Sequence, residues 1–241
     1  GGYEAAAECD ICIITAGASQ KPGETRTDLL QKNATILRSI VDPMMDSGFD
    51  GIFLVVTNPV DTLSTLTCEY SGLPHERVIG SGTVLDSARL RYYLAEELDV
   101  HPKSVHAYQV GEHGDSEFTL WSSANVGGES IVAHVPQHRR EQIEEAVRNK
   151  AYEIIKLKGA THYGIAGCVV QIVNCILNDE HRVLSVSTFD DNNNVYNGFP
   201  AIIGRRGVIR RLESAMTESE NVKFQRSVNA LRKTLNEAHG A

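Results

Sequence analysis

Asp10-Ile11-Cys12-Ile13-Ile14-Thr15, closed by Ala16-Gly17, is the stretch on which the fold turns. A short apolar run without polar alternation suits a strand covered on both faces, as in a parallel sheet. A second such run spans 52–57 and is closed by Asn58-Pro59. Between the two, Leu29, Ile36, Leu37, Ile40 and Val41 recur at helical spacing over 28–47, with Gly48 as a stop signal and Pro43 as a kink or break. Strand, helix, strand is a βαβ unit. A third apolar stretch, 77–79, runs into Gly80-Ser81-Gly82 and predicts another strand followed by a tight turn.

Beyond residue 82 the pattern changes. A helical segment over 88–98 leads into 106–110, and a hairpin is expected over 118–135 around Gly127-Gly128. Two helices, 141–157 and 165–178, are divided by Lys158-Gly159, and strands at 183–189 and 200–203 flank a polar turn at 190–194. The last helix opens on a capping box, Thr217-x-x-Glu220, with Phe224, Val228, Leu231 and Leu235 along one face. The expected organisation is therefore a parallel α/β piece over 1–82 and a mixed α+β domain over 83–241.

The 241 residues are enough to bury a substantial core. An ordinary composition, 41% hydrophobic and 22% charged, excludes disorder, collagen and coiled coil. No apolar run approaches the roughly 20 residues of a membrane helix. The net charge of −8 argues against a broad nucleic-acid surface while leaving room for a local pocket that takes a small anion. Five cysteines, odd in number and without paired CxxC spacing, read as reduced thiols of a cytosolic protein and not as a disulfide framework or zinc site. The opening GGYEAAAECD has neither the basic nor the apolar region of a signal peptide.

Three segments could carry chemistry. Gly111-Glu112-His113-Gly114-Asp115 sets an ionisable imidazole between glycines, which allow close backbone approach; a surface turn histidine is the plainer alternative. The histidines show no HExxH spacing, and no metal site is expected. Asp86 and Arg89 stand three apart at a helix start, so a carboxylate and a guanidinium share one face; taken alone, an N-terminal acid favoured by the helix dipole with an ordinary surface ion pair is the stronger reading. Gln20-Lys21-Pro22-Gly23-Glu24-Thr25-Arg26 is a polar loop after a strand, where open α/β sheets bind ligands, or simply a connector.

Taken together, ITAGASQKPGETR, VVTNPVD, GSGTVLDSARLR, HAYQVGEHGDS and KGATHYGIA stand in an order and spacing that resemble the L-lactate/malate dehydrogenase family, most of all its bacterial L-lactate branch. The resemblance covers essentially the whole chain. It implies the C-terminal half of a Rossmann-type parallel sheet followed by an α+β substrate domain, with NAD as cofactor and pyruvate and L-lactate as substrates. His113 would be the acid/base, Asp86 its orienting partner and Arg89 the grip on the substrate carboxylate, a task the planar guanidinium suits. Arg26, on a closing loop, would polarise the carbonyl. Asn58 would lie between nicotinamide and substrate, Thr15, Ala16, Gly17 and Thr57 would line the cofactor crevice, and Thr161 would complete the pocket. The malate enzymes carry arginine where Gln20 stands, since a second carboxylate needs a compensating charge; neutral glutamine favours lactate. Arg91 and His106 match positions that bind fructose 1,6-bisphosphate in allosteric relatives, and a homotetramer is expected.

One departure stands out: the chain has no GxGxxG, and the nearest candidate, Gly80-Ser81-Gly82-Thr83-Val84-Leu85, fails at its last position. The resemblance implies a preceding βαβαβ half of roughly 60–90 residues. Without it the first strand would expose an edge and one apolar face, and the chain alone would bind NAD weakly and turn over little. Two other readings are a malate or broader 2-hydroxy-acid dehydrogenase, and an inactive chain that only associates with full-length subunits.

Overall fold

The structure is a computed structural model that describes residues 2–18 and 26–240; the side chain of Arg26 lies outside the described part. The elements run β1 (Ile11–Ile14), α1 (Arg26–Asp46), β2 (Ile52–Val55), α2 (Val60–Ser71), β3 (Val78–Gly80), α3 (Val84–Leu98), β4 (Val105–His106), β5 (Gln109–Val110), β6 (Phe118–Thr119), β7 (Asn125–Val126), β8 (Glu129–Ser130), α4 (Ile131–His134), α5 (Gln137–Lys158), α6 (Tyr163–Leu177), β9 (Arg182–Asp190), β10 (Val195–Gly204), β11 (Gly207–Arg211) and α7 (Glu218–His239). A six-stranded sheet in the order β1-β2-β3-β9-β10-β11 forms the centre. Its first three strands are parallel, and β3 meets β9 antiparallel at the pair Gly80↔Ser187.

β2 behaves as its sequence predicts. Phe53 and Val55 face a core shared with Leu37 and Val41 of α1 and Leu63 and Leu66 of α2. The alternate residues Ile52 and Leu54 face a second core with Ile172 and Ile176 of α6. Both faces are covered, which is why no polar alternation exists to read. β1 lacks this two-sided cover, as expected of a strand without its sheet neighbour: it is the outer strand of the sheet, and Ile13 is 42% exposed.

Several elements differ from the sequence expectation, each for a local reason. α1 runs unbroken through Pro43, held there by Val41 and Met44, which are buried on either side of it. α2 has no counterpart in the sequence reading because it is buried from Val60 to Cys68 and so lacks an amphipathic period. It tolerates buried hydroxyls because Ser64, Thr65 and Thr67 donate to the carbonyls of Val60, Asp61 and Leu63 at 2.7, 3.1 and 2.7 Å. The expected hairpin over 118–135 contracts to β7 and β8 around Gly127-Gly128, while β6 pairs with β5 and α4 fills the remainder. β10 begins at Val195, well before Pro200, because it pairs along the whole of β9. β11 was missed because it is an edge strand rich in arginine. The capping box at Thr217 and Glu220 is formed, and the Glu220 carboxylate also accepts from the Ser122 N–H at 2.9 Å.

Candidate active site

The parallel strands direct their C-terminal ends to one side of the sheet. There, Thr15, Ala16 and Gly17 follow β1, and Thr57 and Asn58 follow β2, with Asn58-Pro59 a cis peptide. The Thr57 hydroxyl donates to the Ala16 carbonyl at 2.8 Å, and Asn33 ties the two loops by accepting from Ala18 N at 2.7 Å and donating to the Asn58 carbonyl at 3.3 Å. A Cβ on Gly17 would stand 2.5 Å from Thr57 Cγ2, so only glycine allows the loops to close together. Thr15, Ala16, Gly17 and Asn58 are exposed, forming an open shelf of mostly small residues.

The His113 loop is held from three directions. Gly111 makes paired backbone hydrogen bonds with Gly198 of β10, each 2.8 Å. Glu112 N donates to Ser227 Oγ of α7 at 2.5 Å. His113 N donates to the Asp61 carboxylate of α2 at 2.7 Å, and Ser187 Oγ of β9 donates to the other oxygen of that carboxylate at 2.5 Å. Gly111 has φ +95°, and a Cβ there would lie 2.5 Å from Ser227 Oγ. Gly111→Ala is therefore expected to destabilise the fold by at least about 1–3 kcal/mol, read from the denaturant midpoint; a change within experimental error would contradict this anchoring.

Asp86 lies in the first turn of α3, which starts at Val84, ahead of the 88–98 segment and in keeping with the helix start expected at Asp86. Its carboxylate faces both His113 and Arg89: Oδ2 is 2.9 Å from His113 Nδ1, and Oδ1 accepts from Arg89 Nη1 at 2.9 Å. The Asp86–His113 contact is close but lacks the in-line geometry of a hydrogen bond, so it acts as an ion pair. Nδ1 thus faces carboxylates, which leaves Nε2 for a ligand. Burial alone would lower the imidazole's pKa, but contact with Asp86 and the charges of Asp86, Glu117 and Asp61 outweigh it and push the ring up to about 9. Burial alone would raise Asp86, yet His113 and Arg89 hold it below the usual carboxylate range. Asp61 is pushed up to about 6, chiefly by burial, against the bonds from Ser187 and His113.

Sequence reasoning missed Asp61 and Glu117. Asp61 sits within the VVTNPVD motif, but its partners lie 52 and 126 residues away and leave no local signal. Glu117 is 7% exposed, with Oε2 3.9 Å from His113 Nδ1, and burial pushes its carboxyl up to about 8. A signal was available: an acid four residues after the histidine. The folded protein thus keeps protons on His113 and Glu117 at pH values where the unfolded chain has released them. The Glu117 difference makes stability fall as pH rises from about 4.5 through 8, and the His113 difference as it rises from about 6.5 through 9. Thermal midpoints measured across pH 6.5–9 are expected to fall steadily, and a rise over that window would contradict the assignment.

The remaining expected residues are more dispersed. Thr161 is half-buried between α5 and α6, and a Cβ on nearby Gly164 would meet Leu85, next to Asp86, at 3.2 Å. Arg91 is half-buried on α3 and His106 is exposed on β4, which packs on α3. Gln20 and the Arg26 side chain lie outside the described residues.

An open α/β sheet whose strand ends carry an exposed shelf, together with a histidine set among carboxylates beside a guanidinium, is an arrangement for moving a proton on a small anionic substrate. The family model for the lactate/malate dehydrogenase NAD binding domain matches residues 1–80, and that for the alpha/beta C-terminal domain of the same enzymes matches 83–240. The chain is 51% identical to an L-lactate dehydrogenase of Lacticaseibacillus casei over 98% of its own length and 76% of the relative's. It is 49% identical to L-lactate dehydrogenase 2 of Peribacillus psychrosaccharolyticus, over 98% and 77%. Among solved structures it resembles a lactate dehydrogenase from a Medee basin deep-sea metagenome library, with TM-score 0.97 and 43% identity over 99% of this chain and 80% of that one. It also resembles the ligand-bound minor L-lactate dehydrogenase of Enterococcus mundtii, with TM-score 0.93 and 44% identity over 98% and 78%. The chain belongs to the lactate/malate dehydrogenase family.

Proposed function

We propose that this chain carries the NAD-dependent interconversion of pyruvate and L-lactate. The observation that carries the reading is the shared Asp86 carboxylate, 2.9 Å from both His113 and Arg89. In pyruvate reduction His113 gives the proton at Nε2 to the carbonyl oxygen, and Asp86 steadies the imidazolium before transfer and the ring's orientation after it. Arg89 uses one nitrogen on Asp86 and has donors left to grip the substrate carboxylate. Arg26, the first residue of α1, polarises the carbonyl, Thr161 closes the pocket wall, and Gln20 meets the methyl end without the charge that a second carboxylate would require.

The exposed backbone of Thr15, Ala16 and Gly17, with Thr57 and Asn58 beside it, fits the nicotinamide end of NAD, where bulky side chains would obstruct a flat ring. The bound cofactor supplies the hydride. The sequence holds no GxGxxG for the pyrophosphate, so the fit concerns the nicotinamide end. Residues 1–82 are assigned to the cofactor and 83–241 to the substrate.

Arg91, half-buried near the like-charged Arg182, supports a phosphate-binding role with His106, and fructose 1,6-bisphosphate is the proposed effector. Self-association, with a tetramer as the proposed state, is supported by exposed Leu157 (82%), Tyr163 (85%) and Val170 (57%) on α5 and α6. Five free thiols support a cytoplasmic setting, and no helix among the described residues is long and apolar enough to cross a membrane. Chiral analysis of the product formed from pyruvate and NADH tests the reading: L-lactate is expected, and D-lactate, or no product alongside active conversion of oxaloacetate, would overturn it.

A further inference from the structure

Two buried acids at the His113 site have no part in the mechanism above: Asp61, which anchors the loop through the His113 N–H, and Glu117, which faces the ring itself. Glu117 lies on the Nδ1 side of the ring, as does Asp86, and ligand atoms of Asp86, His113 and Glu117 all fall within 4.8 Å of one another. Three such groups can hold a metal cation or share protons. Arg89, bonded to Asp86 at 2.9 Å, already supplies a fixed positive charge there, which opposes a cation and favours protons. The loop geometry presents the acid as a matter of course: Glu117 N donates to the Gly114 carbonyl at 3.2 Å, turning the chain back so that the side chain reaches its own histidine.

We propose that Glu117 is a positioning residue that shares proton binding with the His113–Asp86 pair, so that the acid/base is a unit of three groups. The proposal rests on the reading of His113 as the acid/base. The charged groups around Glu117 come from three directions: Asp86 and Arg89 on α3, Arg148 on α5, and His113 on its own loop; Asp61 of α2 acts on the histidine from beyond. Arg89 is bonded to Asp86 and keeps it ionised, while burial and the Asp86 charge outweigh the pull of His113, Arg148 and Arg89 and favour a proton on Glu117. As pH rises Glu117 ionises, adds a second negative charge on the Nδ1 side, and so extends the range over which His113 remains protonated. Two groups this close titrate as a unit, and each step appears on both.

The ring signals of His113 in NMR, assigned by their loss in His113→Gln, read this directly in the intact protein. In the parent they are expected to follow two steps over roughly pH 7 to 10. In Glu117→Gln one step is expected, its midpoint lower by about one unit, a tenfold loss of proton affinity. Glu117→Asp keeps the acid on a shorter arm and is expected to restore part of the shift. The same midpoint in Glu117→Gln as in the parent would overturn the proposal. If Glu117→Gln does not fold, a single-step titration in both the parent and Glu117→Asp overturns it, and two steps in the parent support it. A purely structural Glu117 would lower thermal stability without moving the His113 midpoint. Because the titration needs no turnover, a shifted midpoint in a protein that does not reduce pyruvate would leave the three-group unit standing and remove only the proposed reaction.

Discussion

Replacing His113 with glutamine is expected to lower kcat for pyruvate reduction by about 10²–10⁴-fold, with a much smaller change in KM. Glutamine can hydrogen-bond to the substrate but cannot pass a proton to the forming alkoxide, so the loss falls on the chemical step. The scaffold should survive, because the loop is anchored through backbone groups: His113 N on Asp61, Glu112 N on Ser227 and Gly111 on Gly198. Steady-state kinetics at a pH below about 9, where the parent's imidazole carries its proton, give the clearest contrast. A variant within tenfold of the parent would remove His113 from the role assigned to it.

Arg89→Lys is the second large effect. Lysine keeps the charge but loses the planar fork that holds a carboxylate with two parallel bonds. Truncating one side of a buried, hydrogen-bonded charge pair costs about 2–5 kcal/mol, which corresponds to a loss of roughly 30- to several-thousand-fold in kcat/KM. Arg89 also bonds Asp86 at 2.9 Å, so part of the loss could arise through His113. Comparing pyruvate with its uncharged amide separates the two contributions. The parent is expected to discriminate strongly against the amide and the lysine variant only weakly. Equal discrimination in both proteins would mean that Arg89 acts on Asp86 and not on the substrate.

What the sequence reveals and what it hides divides along the range of the interactions. β2 is legible because burial on two faces leaves a continuous apolar run, and the start of α7 is legible because a capping box is a contact over three residues. Asp86 and Arg89 are legible for the same reason, being three residues apart on one helix. α2 is hidden because the hydroxyls of Ser64, Thr65 and Thr67 are satisfied within the helix, so a segment buried from Val60 to Cys68 reads as polar. Its acid, Asp61, is hidden because its role is set by Ser187 and the His113 N–H, which only the folded sheet brings near. β11 is hidden because the charge of Arg211 is satisfied by other strands: it reaches Thr188 Oγ1 of β9 at 2.9 Å and Asn197 Oδ1 of β10 at 2.7 Å. Glu117 was within reach of a local reading, but nothing in its spacing reveals burial. The outer position of β1 and its exposed apolar face followed from an argument about sheet neighbours, while only the coordinates identify Ile13 as the exposed residue.

The central claim is that this site reduces a 2-keto acid bearing a single carboxylate, held by Arg89 and protonated by His113. The most direct measurement is the ratio of kcat/KM for pyruvate to that for oxaloacetate, with NADH as the reductant. A ratio well above one is predicted, since a second carboxylate would meet neutral Gln20. A ratio below one would contradict the account and assign the site to the malate side of the family.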